Sequence, residues 1–163
     1  MSDAPVETAE ASHFTKIVFG KLPPRYDLMV GIKEVCRKHG LQQAAILSCI
    51  GSLEKVTFGY AILSRDKAVM LGQDKHWKVE EPVSMLGGQG FVAPDTLGEG
   101  DISVHLHGTF QTNEGKAVGQ HVEDIIDGSR VFNTVEIVLG GLDIGVVRRF
   151  DPVVGTPVFG PSV

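Results

Sequence analysis

The chain reads as an α+β domain: a mainly antiparallel or mixed sheet with one main helix and a short second helix. Three observations predict this. Short apolar or alternating segments, each closed by Gly, Pro or Asn/Asp turn residues, recur along most of the 163 residues. Only one long segment, 28–39, has helical periodicity. The regular alternation of strand and helix that a doubly wound fold requires is missing.

Residues 1–12 are small and acidic and are expected to form a disordered tail. The domain is expected over 13–151. Residues 152–163, rich in Pro and Gly, read as an irregular C-terminal tail. Phe14–Gly20 begins as an alternating pattern and reads as a strand, broken by Leu22-Pro23-Pro24. Asp27 stands at a helix N-cap position. Leu28, Ile32, Val35, Cys36 and His39 then recur at spacings of three and four, while Lys33, Glu34, Arg37 and Lys38 fall largely off that stripe. This predicts an amphipathic helix over 28–39 with Gly40 as its C-cap.

Residues 43–50 read as a mostly buried strand closed by Gly51-Ser52, and 54–63 as the next strand. Val69–Leu71 and Trp77–Val79 are short strands around Gly72-Gln73-Asp74. Val83–Leu86 is another, ended by Gly87-Gly88, and 90–100 reads as a loop. Strict alternation over 101–107 predicts a strand, Gln111–Lys116 a turn, and Ala117–Val122 a returning strand. The short second helix is expected near 122–127. Val131–Leu139 and Ile144–Phe150 complete the strands.

Lys plus Arg number 15 and Asp plus Glu 20, a net charge of −5. That balance argues against direct grip on nucleic acid. No apolar run approaches the roughly 20 residues that span a bilayer, and the acidic N-terminus has no signal-like apolar region. A cytoplasmic location without membrane attachment is therefore expected. Cys36 and Cys49, both in apolar surroundings, read as buried small hydrophobes. Gly87-Gly88-Gln89-Gly90 lacks the following helix of a phosphate loop, and Ser84 lacks a nucleophile-elbow context. Arg148-Arg149 reads as a solvated basic edge. Trp77 suits either an interface or the core. His13, His39 and His76 read as a tail residue, a helix C-terminal residue and a turn residue.

Chemistry concentrates in the other three histidines. His105 and His107 are two apart on one strand, so both rings leave the same face. Opposed residues of a hairpin have a constant index sum. A turn centred on 113 sets His121 opposite His105, and one centred on 114 sets it opposite His107. Either way three imidazoles meet on one patch. Three neutral imidazoles suit a divalent metal, zinc first, with iron, nickel or copper as alternatives, and they leave a coordination position open. Glu136, by topology, and Asp101, on the same strand face, are candidate second carboxylates that would orient the rings.

The chain resembles the plants-and-prokaryotes-conserved (PPC) domain, the AT-hook-associated domain of unknown function, over roughly 14–150. The resemblance rests on the helix from Asp27 to His39-Gly40, then Ser48–Leu53, Glu81–Gly88 (EPVSMLGG) and His105-Leu106-His107-Gly108. Gly115–His121 and Thr134–Leu139 follow. Where the family usually has Gly-Gly-His, this chain has Gly119-Gln120-His121. The plant partner motif Gly-Arg-Phe-Glu-Ile-Leu falls near Val79–Leu86, here VEEPVSML, without its Arg-Phe portion. The AT-hook core Arg-Gly-Arg-Pro is not in the sequence. The resemblance implies a bare prokaryotic-type domain with a mainly antiparallel sheet, assembled as a homotrimer, with metal on His105, His107 and His121. It leaves two functions in view. One is a metal site that binds or hydrolyses a small molecule. The other is a DNA-binding or transcription-associated interaction module without enzymatic activity.

Overall fold

The computed structural model describes residues 11–59, 76–97, 102–152 and 156–162. In chain order the elements are β1 (Phe14–Leu22), α1 (Leu28–His39), β2 (Ala44–Gly59), β3 (His76–Val79) and β4 (Val83–Pro94). They continue as β5 (Ile102–Gln111), β6 (Ala117–Val122), β7 (Arg130–Leu142), β8 (Val146–Asp151) and β9 (Thr156–Pro161). Seven strands form one sheet in the order β1-β7-β2-β4-β5-β6, with β3 added to β2, and every strand pair is antiparallel. Strands β8 and β9 form a separate hairpin. This is the expected mainly antiparallel α+β architecture.

The 16-residue strand β2 organises the sheet. Its first part, Ala44–Leu53, runs between β7 and β4. Its last residues, Phe58 and Gly59, pair instead with Val122 and His121 of β6. The path β2-β4-β5-β6-β2 thus closes on itself. Three register shifts against β7 turn the strand. So does Gly51, at φ 148°, where a Cβ would stand 2.1 Å from the Thr134 carbonyl oxygen. Only glycine fits that bend.

Cys49, Leu53, Val56, Phe58, Met85, Leu106, Phe110 and Val122 face inward and are fully buried. Phe58 and Phe110 meet edge to face at 5.1 Å. The stripe of α1 joins the same core: Leu28, Met29, Ile32 and Cys36 are buried with Val18, Leu22, Val135, Ile137 and Leu139. Asp27 starts the helix. Its Oδ1 accepts from the Val30 N–H at 2.9 Å and its Oδ2 from the Asp127 N–H at 2.6 Å. Gly40, at φ 65°, ends it. Lys33 leaves the apolar stripe to meet Asp124 at 2.9 Å, and Asp124 Oδ2 accepts from the Val104 N–H at 2.9 Å. That pair ties the helix to the β5–β6 hairpin.

Four expectations are corrected. Gly51-Ser52 does not separate two strands, because both neighbouring ladders continue through the glycine. Gly87-Gly88 does not end β4 and 90–94 is not loop: the glycines are paired with Thr109 and Gly108, and Gly88 sits where a Cβ would press on the Met85 methyl at 2.3 Å. The short second helix near 122–127 is not formed. After Val122 the chain turns, with Asp127 left-handed at φ 60° and the Gly128 N–H on the Ile125 carbonyl, and α1 is the one helix among the described residues. The tail expected to be irregular over 152–163 is a strand over Thr156–Pro161. Ser162 donates its N–H to Gly145, so odd-numbered β9 residues face away from β8 and Pro157 and Pro161 cost the ladder no donor. Val69–Leu71 and residues 1–10 lie outside the described residues.

Gly51→Ala is expected to destabilise the domain by at least about 1–3 kcal/mol, the cost of one strained residue, before any strand displacement. Urea unfolding should show a lower midpoint for the variant.

Candidate metal centre

Strands β5 and β6 form the hairpin that carries the three histidines. Its turn is closed by Thr112 N–H to the Lys116 carbonyl and Gly115 N–H to the Thr112 carbonyl, both at 2.9 Å. Gly115 at φ 78° supplies the left-handed residue. The hairpin centres on 114, so His107 is opposite His121. Leu106 and Val122, also paired, point into the core. Alternation then sends His105, His107 and His121 to the outer face together.

The ring centroids are 4.9 Å apart for His105–His107, 4.8 Å for His105–His121 and 5.2 Å for His107–His121. One nitrogen from each ring lies within 4.8 Å of the others. Nitrogens on a tetrahedral zinc at about 2.05 Å stand about 3.3 Å apart, so side-chain rotation of about 1.5 Å at most closes the set. His107 is exposed, while His105 and His121 are half-buried. The β8–β9 hairpin lies at their side, with the Phe159 ring 5.5 Å from that of His105.

Burial pushes the His105 and His121 imidazoles down to about 4. Their neighbouring histidines and the Arg148 guanidinium add to the shift. Both rings are therefore neutral at pH 7, the form that ligates metal. Arg148 is held in place from β8. Its Nη1 donates to Asp95 Oδ2 at 2.8 Å, and its carbonyl accepts from the Thr96 N–H and hydroxyl. His121 Nδ1 is buried with no hydrogen-bond partner. Three neutral imidazoles, each with a nitrogen within reach of the others, are a donor set that fits a divalent cation. Beside His107 a cleft of about 640 Å³ opens, lined by Leu47, Ile50, Ser48, Gln89, Thr109 and Gln120 among others.

Glu136 is not brought to the cluster. It pairs with Ile50 and Lys21 on β7, and β2 and β4 separate that strand from β5, about 14 Å at about 4.8 Å per strand. Asp101 lies outside the described residues. Sequence reasoning missed Arg148 and Phe159, which reach the site from a hairpin some 40 residues on. It also missed Glu123, for which a signal existed: two residues past His121, it keeps the same strand face. Arg148 is an ion-paired residue at the site and not a solvated edge. His13 forms an ion pair with Asp143 at 2.8 Å. Cys36 and Cys49 are free and buried, their thiols pushed up to about 11 and about 12 by burial. Trp77 is partly exposed and packs on Phe58 at 5.4 Å.

The model of the Plants and Prokaryotes Conserved (PCC) domain matches residues 9–143. The chain belongs to this family. Solved structures share the PCC fold. The plant- and prokaryote-conserved (PPC) protein of Pyrococcus horikoshii superposes with a TM-score of 0.74 at 20% identity, over 93% of this chain and 96% of its own. A metal-containing protein of Archaeoglobus fulgidus gives 0.71 at 21% identity, over 93% and 99%. A protein of Ralstonia eutropha, provisionally described as DNA-binding, gives 0.70 at 21% identity, over 87% and 89%. At these identities the likeness is one of fold. Comparison with curated proteins gives no match. Among the described residues, no helix of this PCC domain is long and apolar enough to cross a membrane.

The two half-buried rings make stability depend on pH. In the folded chain they stay neutral until about pH 4, whereas unfolded they take a proton near 6.5. The unfolded state binds more protons between these values, so stability is full above about pH 6.5 and falls as pH drops toward about 4. Urea midpoints of metal-free protein across this range should fall with acid, and the double variant H105N/H121N should flatten the slope.

Proposed function

We propose that this PCC domain works as a cytoplasmic homotrimer that holds a divalent metal on His105, His107 and His121 and binds or hydrolyses a small molecule there. One observation carries the reading: three imidazole nitrogens lie within 4.8 Å of one another on an outward face. The adjoining cleft and the neutral state of His105 and His121 support it. Zinc suits the donor set best, with iron or nickel as alternatives. Three protein ligands leave a position for substrate, and the bound metal supplies Lewis acidity. The protein's own groups do the rest. Gln89, Gln120, Ser48 and Thr109 offer hydrogen bonds to a polar ligand, and Arg148 adds positive charge at the covered side. Being metal-containing, the Archaeoglobus protein of the same fold agrees with this proposal.

The homotrimer draws support from the outer sheet face. Phe19 is 68% exposed, and Ile50, Leu86, Phe91 and Phe132 are exposed with it. Phe91 is directly opposite His105, so the apolar surface adjoins the histidines. Apolar area of this kind on a small domain marks an interface. The competing reading, a DNA-binding or transcription-associated module, draws on the description of the Ralstonia protein, while the net charge of −5 works against it.

Elemental analysis of tag-free protein is expected to find about one zinc per chain, and His105→Ala with His107→Ala to reduce it to background while sedimentation still reports a trimer. Metal at background in the parent protein would remove the proposal. A gel shift on A/T-rich and random duplexes is expected to show no salt-sensitive complex. Affinity falling steeply with salt would favour the competing reading.

A further inference from the structure

Gly59, at the end of β2, pairs with His121 on β6 and with His76 on β3. Directly paired residues share a face, so the three stand in a row on the surface that carries the histidine centre. Gly59 has no side chain, and the carboxylate of Glu123 occupies the space one would take. A Cβ built there would stand 1.7 Å from Glu123 Oε1 and 3.2 Å from His121 Cδ2. The carboxylate oxygen and that ring edge are thus less than about 5 Å apart, the sum of those distances.

Glu123 is held on this spot by two contacts. Its N–H donates to the Thr57 carbonyl at 3.0 Å, which extends the β2–β6 pairing by one residue. His76 Nε2 lies 3.9 Å from its Oε1. Its side chain is only 24% exposed, a burial that a lone carboxylate avoids unless it serves a partner. Meanwhile His121 Nδ1 is buried with nothing to bond, and Cδ2 of the same ring lies within about 5 Å of the carboxylate oxygen. A half-turn of the imidazole about χ2 exchanges Nδ1 with Cδ2 and leaves the ring plane in place. It brings the orphaned nitrogen to the orphan's natural acceptor.

Resting on the reading that the three histidines hold a metal, we propose that Glu123 is the positioning residue of His121. It accepts the Nδ1–H and leaves Nε2 for the metal, while Gly59 reserves the space and His76 steadies the carboxylate from β3. A ligating histidine whose second nitrogen donates to a carboxylate is fixed in tautomer and orientation, and losing such a partner lowers metal affinity roughly 10–100-fold.

The test uses full-length protein and two readouts. Zinc affinity, by competition with a chromophoric chelator, should fall about 10–100-fold in Glu123→Leu and less in Glu123→Gln, whose amide oxygen still accepts. Gly59→Ala should match Glu123→Leu although Glu123 is intact, because the new methyl displaces the carboxylate. The clash is with the far end of a flexible side chain, so the strand is kept. The second readout is the nitrogen-15 spectrum of the imidazoles in metal-free protein at pH 7. His121 should be the Nδ1–H tautomer in the parent and shift toward Nε2–H in Glu123→Leu and Gly59→Ala. Zinc affinity within twofold of the parent in both variants overturns the proposal, and so does an affinity loss without a tautomer change. A parent protein that takes up no zinc yet shows the tautomer change retires the metal reading and keeps the Glu123–His121 pair.

Discussion

The closure of the sheet through β2 is the constraint on which the rest depends. One strand serves two ladders by bending: β4 and β7 flank its first part, and β6 receives its end. Once Phe58 meets Val122, the register of β6 is set from two sides, by β5 and by β2. A slip of one residue would turn every β6 side chain to the opposite face. It would carry His121 into the core and Val122 out of it. The core cannot accept that exchange, because Val122 is fully buried among Phe58, Leu106 and Phe110. The hydrophobic effect that packs the barrel thereby places the imidazole next to the other two, and no direct attraction between the rings is needed.

Charge on the rings would oppose that placement. Protonated imidazoles packed at these distances repel, and burial at His105 and His121 disfavours their charge further. Arg148, locked to Asp95, adds to the same bias. The fold keeps two neutral donors in place through burial and one exposed donor, His107, at the mouth of the cleft. A site of that kind gives up few protons from His105 and His121 when a cation enters at neutral pH, so the folded frame, and not a compensating deprotonation, carries their cost of preorganisation.

Local patterning made the main parts legible. The helix matched 28–39 because Asp27, its apolar stripe and Gly40 act within a few residues of one another. The histidine patch followed from period-2 alternation and a short turn, which left two registers open until the tertiary pairing with β2 chose one. What escaped depends on distant partners. Glycines read as breaks at 51 and 87–88 are strand residues, because the ladders run on through all three, and at 51 and 88 the neighbours leave no room for a side chain. The turn at 123–128 looked helical in isolation, yet Asp27 and Asp124 bind it to α1 and β5 from far along the chain. Glu136 seemed close only because its place in the strand order, with β2 and β4 between its strand and β5, cannot be read from alternation. Arg148 reaches the site only through the β8–β9 hairpin.

The outer face raises the last question, since the chain leaves apolar rings where an antiparallel sheet ordinarily presents polar groups to water. Phe91 stands beside His105, Ile50 and Leu86 flank the cleft, and Phe19 and Phe132 extend the patch across β1 and β7. The β8–β9 hairpin meets the end near His105. Covering the remainder would lower the dielectric around the open coordination side and strengthen every polar contact made there. In the proposed trimer, assembly and ligand selection would be one problem, since a subunit that buried the aromatic surface would also wall the adjoining cleft. A ligand small enough to fit between that wall and the imidazoles would be held, while a polymer such as duplex DNA would meet a chain of net charge −5.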